Sequence, residues 1–475
     1  MRVLIANPPA YFKKFPNRHF IQAGSRWSHS FWCPRSKHVK HYQPYPFFIG
    51  YASSLLKRDT EAKVRALDSC ALDFNEEDFI DYVKRYKPDL LVVEIPSISF
   101  PLMEGVLEKI KGEIGCEIAI AGLHATAFPR QILEKYNFID NVFIGEYEKT
   151  LKDLIVGGSE NKMDYIKGFG FKKGGVTKVN LQRNLSDLNE LPWPDRSDLP
   201  VTLYHDFEIV GEPTAQMIAT RGCPYRCKFC YITILYDKPS YRQRAIKNIV
   251  DEMEYSKEKL KARQVYFDDD TLALDRKYLR ELALENVHRR LDIPWVFMGD
   301  VTIDYETLKL LSRAGCIGIK FGVETFTQDV SKHVSKLFIS VDRVRKFVRY
   351  CKELGIWTHA TYQVGLPGDT VEGTLATLRF ALQLDTNSIQ VSIATPLPGT
   401  MFYEEAKEKK WLITEDYTLY DGARHSVVSY PWLSKEDIER LHMLFLDSWR
   451  SHVLKRYLRE PKRILRKLRM QFMRH

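Results

Sequence analysis

The 475-residue chain lacks most of the features that would place it in a membrane or a repeat array. No apolar run reaches the roughly 18 residues that span a bilayer. The opening "MRVLIANPPA" has too short an apolar core for a secretory signal and turns at Pro8-Pro9, so it reads as a buried first strand. There is no repeat of solenoid period and no low-complexity stretch. Unbalanced charge is missing from the body of the chain. The net charge is +10, but Arg450 to His475 alone carry ten Lys or Arg against one acid, Glu460. A nearly neutral body does not suggest a nucleic-acid-binding face. Cysteine is sparse, with eight residues, and a chain read as cytoplasmic keeps its thiols reduced.

What is present is ordinary soluble composition, 44% hydrophobic and 28% charged, at a length that implies two or three domains. Residues 1–150 alternate strand signals ("RVLIANPP", "KVRALDS", "LLVVEIPS", "EIAIAG") with helical ones ("FFIGYASSLLKRD", "NEEDFIDYVKRYKPD", "LMEGVLEKIKGEIG"). Such repetition implies a parallel sheet covered on both faces, with ligands beyond the carboxyl ends of its strands. The stretch from Pro9 to Pro46 fits neither period. Its Arg- and Trp-rich part near residues 18–45 is a candidate substrate-proximal lid. Residues 151–213 read as a connector, with a Gly-rich hairpin ("GFGFKKGGVTKV") and a Pro/Asp turn cluster ("LPWPDRSDLP"). A second strand-helix series fills 214–411, and 412–475 is expected to be mostly helical. Six parallel strands with external helices would form an incomplete TIM-like barrel.

Three of the eight cysteines fall within eight residues, in "TRGCPYRCKFCYI". In a reducing compartment that density of soft donors means metal, either zinc or an iron–sulfur cluster. Structural zinc wants a fourth Cys or His nearby, and the next cysteine is Cys316. A cubane held by three thiolates keeps one iron free for a ligand. The other five, Cys33, Cys70, Cys116, Cys316 and Cys351, read as buried small hydrophobes.

Cys223-x-x-x-Cys227-x-x-Cys230, with Phe229 before the third cysteine, resembles the signature of the radical S-adenosylmethionine (SAM) superfamily. The resemblance implies a 4Fe-4S cluster whose free iron chelates SAM and whose electron cleaves it to a 5'-deoxyadenosyl radical. "FDDDT", with Asp268 and Asp270 as the candidate cofactor contacts, resembles the branch containing anaerobic porphyrin-ester cyclases. In that trio one acid is expected at the SAM amino group, with the others capping a helix or facing solvent. "AGCIGIKFGVET" is similar to the family's fourth-strand segment, which implies Glu324 at the SAM ribose and Lys336 at the SAM carboxylate. "GLPGDT" and "TPLPGTMFY" match further turns of the branch, with Asp369 where Glu is commoner.

Residues 1–150 resemble the cobalamin-binding domain that precedes many such cores, on "NPP", "AGLHATAFP" and "GEYEKT". The implied contacts are Asn7, Gly122, His124, Thr126 and Gly145. The Asp-x-His-x-x-Gly motif that supplies an axial imidazole is missing, so no protein histidine is expected on cobalt. The fold class is therefore α/β: a doubly wound, Rossmann-like cobalamin domain, a partial (β/α)6 barrel and a helical C-terminal region.

The tail "EPKRILRKLRMQFMRH" places Ile464, Leu465, Leu468 and Phe472 on one helical face among cations. That pattern suggests peripheral contact of 450–475 with an anionic inner membrane face, or docking on the protein's own body. A further likeness, to hopanoid-biosynthesis radical SAM proteins, rests on "YETLKLLSRAG" and "IQVSIATPLPGT" and implies a small hydrophobic substrate. Ferredoxin or flavodoxin is the implied electron donor, and no nucleic-acid partner is expected. Methylation and ring rearrangement or cyclisation both fit. A tRNA-modifying enzyme and a non-enzymatic cobalamin or iron–sulfur sensor are the alternatives.

Overall fold

A computed structural model describes residues 1–16, 18–22, 31–34, 42–157, 160–184, 186–236, 240–336 and 340–459. The chain divides into two compact units. The first comprises Met1–Tyr204, Phe229–Pro239 and Pro396–Asp421; the second comprises His205–Lys228, Ser240–Thr395 and Gly422–His475.

In the first unit β1 is Arg2–Asn7, and β2 (Arg18–Ile21) and β3 (Phe31–Pro34) form an antiparallel hairpin inside the stretch that fitted neither period. The remaining strands are β4 (Lys63–Asp68), β5 (Leu90–Glu94), β6 (Glu117–Ala121), β7 (Asn141–Phe143), β8 (Phe169–Lys173) and β9 (Val176–Val179). They form one sheet in the order β4-β1-β5-β6-β7-β8-β9, parallel as far as β7. β5 is buried along its whole length, as a central strand covered on both faces must be. Local chemistry sets the intervening helices. Asn75 accepts from the Asp78 N–H and the Asp78 carboxylate accepts from the Asn75 N–H, both at 3.0 Å, starting helix Glu76–Tyr86 with a capping box. Helix Phe100–Ile114 opens with Pro101 and ends at Gly115 with φ 70°.

The connector expected over 151–213 is a separate element only in part. Its Gly-rich hairpin is β8–β9, and it adds two antiparallel strands beside β7, covering an edge that would otherwise present bare N–H and C=O groups. Its Pro/Asp cluster is tied to the first unit. Asp195 accepts from Ser53 Oγ at 2.7 Å and Lys57 Nζ at 2.5 Å, and Asp198 accepts from the Ala66 N–H at 3.0 Å.

At the carboxyl end of β4, Asp68 is buried, and burial pushes its carboxyl up from 3.8 to about 6. Between pH 4 and 6 the folded chain therefore holds a proton the unfolded chain has lost, and stability falls as pH rises. Asp68→Asn keeps the bond accepted from the Ala71 N–H and removes the charge. We expect it to stabilise the protein by about 2–3 kcal/mol at pH 7 and by almost nothing at pH 4. Urea unfolding at the two pH values measures this, and an equal effect at both would contradict it.

In the second unit β10 (Thr214–Met217) is followed by a small antiparallel pair, β11 (Thr220–Arg221) and β12 (Arg242–Gln243). Then come β13 (Gln264–Phe267), β14 (Trp295–Gly299), β15 (Cys316–Glu324), β16 (Trp357–Val364) and β17 (Ser388–Ile393). β10 and β13 to β17 form a six-stranded, all-parallel half-barrel sheet in chain order. β16 alternates between half-buried and buried positions; on its buried side Tyr362 packs on Phe445 of helix Lys435–Arg459, with ring centroids 5.4 Å apart.

Two boundaries differ from expectation. The core expected to reach residue 411 ends as a sheet at β17, and Pro396–Asp421 groups with the first unit. The C-terminal region expected to be mostly helical is irregular through residue 434, apart from a 3-10 turn at Tyr417–Leu419. Asp416 accepting from the Thr418 N–H, and Gly422 at φ 62°, are turn chemistry that interrupts a helix. Among the described residues no helix is long and apolar enough to cross a membrane. Residues 460–475, which carry most of the basic tail, lie outside the described residues. Within the described part, Arg456 donates to Asp385 Oδ1 at 2.9 Å and to the Thr386 carbonyl at 2.8 Å, so this cation is used internally.

Candidate radical SAM site

The cysteine loop leaves the carboxyl end of β10 through Ile218 and β11. The acidic trio that follows β13 holds that exit. Asp269 Oδ1 accepts from the Ala219 and Thr220 N–H groups at 2.8 and 3.2 Å, and Asp270 Oδ2 accepts from the Gly222 N–H at 2.6 Å. This corrects the expectation that the spare acids cap a helix or face solvent: the outgoing backbone of the neighbouring strand presents its donors to them. Asp268 is buried and accepts from Tyr266 Oη at 3.1 Å. Gly222 has φ 96°, and a Cβ there would lie 2.5 Å from the Ser240 carbonyl oxygen, so only glycine fits this turn.

Cys223, Cys227 and Cys230 are half-buried and outside any disulfide. Burial pushes the Cys223 thiol up to about 11, with the Asp270 charge adding to it, and burial also raises Cys227. Free thiols so placed stay protonated, and a bound cation would reverse that. The Cys230 carbonyl accepts from the N–H and Oγ1 of Thr233, at 3.4 and 2.8 Å, next to helix Ile232–Leu235. Phe229 is half-buried. The Lys228 N–H donates to the Val334 carbonyl at 2.9 Å, fastening the loop to the turn that carries Lys336. Three soft donors, outside any disulfide and on one pinned loop, fit an iron–sulfur cluster with one open corner.

Glu324 ends β15 with φ 65°, and its side chain is almost buried. Lys336 Nζ lies 3.3 Å from Oε1, Thr361 Oγ1 lies 3.4 Å from Oε1, and Gln363 Nε2 lies 3.3 Å from Oε2. Charge-assisted bonds at their best run about 2.7–2.9 Å. A carboxylate held this loosely retains accepting capacity for hydroxyl groups. Gly322 makes room for it, since a Cβ there would overlap Glu324 Oε1 and lie 3.1 Å from Lys336 Nζ. The structure thus brings Glu324 and Lys336 together at the end of β15. Their partners Thr361 and Gln363 escaped sequence reasoning, although the polar alternation of "WTHATYQVG" marked that face. On the same face His359 bonds Ser388 Oγ through Nδ1 at 2.8 Å, and burial lowers its imidazole to about 3, keeping it neutral.

In the first unit Asn7 ends β1 fully buried, and its amide atoms find no hydrogen-bond partner among the described residues. An orphaned amide at the carboxyl edge of a parallel sheet fits a polar ligand there. Gly122, Thr126 and Gly145 are knit to one another. Thr126 Oγ1 donates to the Gly122 carbonyl at 2.8 Å and accepts from the Gly145 N–H at 2.9 Å, so Thr126 shapes the loops that frame the edge. His124 is buried and neutral, lowered to about 3 by burial, with Nδ1 3.1 Å from Ser97 Oγ. Its ring lies 4.3 Å from that of Phe100 and 5.2 Å from that of Tyr417.

A three-cysteine loop after the first strand of a parallel half-barrel, with an acid at the end of the fourth strand and a lysine in the turn beyond it, defines a class. Residues 217–381 match the Radical SAM superfamily. It is 26% identical over 381 residues to an uncharacterized methyltransferase of Pyrococcus horikoshii, covering 79% of this chain and 81% of that one. It is 25% identical over 388 residues to the anaerobic magnesium-protoporphyrin IX monomethyl ester cyclase of Cereibacter sphaeroides, covering 79% of this chain and 62% of the cyclase. Among solved structures it is similar to the radical SAM methyltransferase TsrM from Kitasatospora setae, determined with cobalamin and a 4Fe-4S cluster bound. The TM-score is 0.65 at 19% identity, covering 87% of this chain and 79% of TsrM, a likeness of fold. The branch recognised in the sequence, that of the ester cyclases with a cobalamin-type front domain, is the one these similarities support.

Proposed function

We propose that this protein uses a 4Fe-4S cluster, SAM and cobalamin to methylate an unactivated carbon of a hydrophobic substrate of lipid, isoprenoid or tetrapyrrole type. The observation that carries the reading is the placement of the cysteine loop and of the Glu324–Lys336 pair at carboxyl ends of one parallel sheet. When bound, the cluster supplies an electron to the SAM sulfonium and cobalamin supplies a carrier for methyl, chemistry no side chain performs. The chain's own residues bind and orient. Cys223, Cys227 and Cys230 hold the metal, Asp269 and Asp270 fix the loop, and Glu324 and Lys336 meet the ribose and carboxylate of SAM. Asn7, with the loops of Gly122 and Gly145, faces the corrinoid, and the His124 ring is kept neutral within the protein.

Methylation is favoured because two relatives named as methyltransferases are matched over 81% and 85% of their own length, against 62% for the ester cyclase. Rearrangement or cyclisation is the second reading, supported by the ester-cyclase similarity. The hydrophobic substrate rests on the sequence resemblance, as does electron delivery by ferredoxin or flavodoxin. Anaerobically reconstituted full-length protein, given SAM, hydroxocobalamin and a strong reductant, is expected to yield 5'-deoxyadenosine and S-adenosylhomocysteine. The first product without the second supports rearrangement. Neither product means a sensor rather than an enzyme, and overturns the proposal.

A further inference from the structure

The segment entering β10 carries a cluster that the radical SAM chemistry does not use. His205 Nδ1 lies 3.3 Å from Glu208 Oε1 and 3.4 Å from Glu212 Oε1, and the three donor atoms fall within 4.8 Å of one another. The imidazole and the Glu208 side chain are each 18% exposed and that of Glu212 is 34% exposed, so this is no open surface patch. As a salt-bridge pair the arrangement is poor. One imidazole nitrogen carries at most one proton and cannot donate to two carboxylates at full strength. Both separations also exceed the roughly 2.7–2.9 Å of a charge-assisted bond. They match a different geometry: ligands about 2.0–2.1 Å from a shared tetrahedral ion stand about 3.3–3.4 Å apart.

The surroundings fix the donors in place. Gln264, at the start of β13, accepts from the Ile209 N–H at 2.9 Å and the Val210 N–H at 3.3 Å, and donates to the Phe207 carbonyl at 2.9 Å. The Phe207 ring meets the rings of Tyr266 and His359 edge-on, at 5.8 and 5.6 Å. Gly318 leaves room for this packing, since a Cβ there would lie 2.6 Å from Ile209 Cδ1. The segment thus closes the amino-terminal end of the sheet, opposite the end that carries the cysteine loop.

We propose that His205, Glu208 and Glu212 form a second metal site, for a divalent ion of the zinc class. One imidazole nitrogen and two carboxylate oxygens would be its protein ligands and water its fourth, the open three-ligand arrangement of zinc rather than the closed structural one. The donor set has no sulfur, which separates it chemically from the cluster loop.

The test is equilibrium dialysis of cluster-loaded, full-length protein against Zn2+, with zinc and iron measured together. Because iron already fills the cysteines, we expect about one zinc per chain at unchanged iron content, and a melting temperature that rises with zinc and falls back with chelator. His205→Ala should abolish this uptake, and Glu208→Gln should weaken it about tenfold or more. The conservative Glu208→Gln decides the matter should His205→Ala fail to fold. No zinc uptake, zinc gained only as iron is lost, or uptake by Glu208→Gln equal to the parent would each overturn the proposal.

Discussion

Cys227→Ala in the full-length protein is expected to abolish cluster loading and lower reductive SAM cleavage by about three orders of magnitude or more, as for one member of a set that acts as a unit. The thiol sits on a loop held by Asp270 at Gly222 and by the Lys228–Val334 bond, so its removal should leave the backbone in place. Anaerobic iron analysis and chromatography of 5'-deoxyadenosine measure both effects. Cys316 and Cys351 make the matched controls. They are buried in the second unit, and burial alone pushes the Cys316 thiol up to about 12. Alanine at Cys316 should cost stability without changing iron per chain. A Cys227→Ala protein that keeps iron and cleaves SAM at the parent rate would remove the basis of the functional reading.

Glu252→Ala is expected to destabilise the protein by about 3–5 kcal/mol and to lower cluster occupancy as well. Glu252 Oε2 lies 2.7 Å from Arg244 Nη2, and both side chains are almost fully buried. Breaking the pair takes from the buried Arg244 guanidinium the carboxylate that faces it under the strand exit. Arg244 is itself the clamp on that exit: its Nη1 donates to the Ile218 carbonyl at 2.7 Å and its N–H to the Ala219 carbonyl at 2.9 Å. Asp269 meanwhile holds the Ala219 and Thr220 N–H groups. The backbone feeding the cysteine loop is thus gripped at both its donors and its acceptors. Replacing both members of the pair with methionine should recover part of the stability, because no lone charge remains. Denaturant unfolding together with iron analysis measures this. A Glu252→Ala protein of parental stability would show that the pair carries no such strain when broken.

Much of the architecture was legible in the residues because strand and helix periods are local. "FFIGYASSLLKRD" is the helix Phe47–Asp59, and the strand-helix series read over 214–411 carries the six strands of the second sheet. The Asn75 cap is likewise a local feature, one polar residue placed just before a helical run. Less visible was the hairpin β2–β3, whose pairing falls in a stretch without alternation. The return of Pro396–Asp421 to the first unit is a long-range choice that no local pattern encodes.

The site divides in the same way. Spacing alone fixed the cysteine trio, because a cluster needs its thiolates close together and a short loop supplies that without help from the rest of the chain. Glu324 and Lys336 were named from a family pattern, but their meeting at 3.3 Å depends on the bend at Glu324 and the missing side chain at Gly322. The tasks of Asp269 and Asp270, the clamp by Arg244, the partners Thr361 and Gln363, and the convergence of Glu208 and Glu212 on one imidazole belong to tertiary structure. Hydrogen bonds and ion pairs act over about 3 Å between groups tens of residues apart, and only the packed sheets bring those groups within reach.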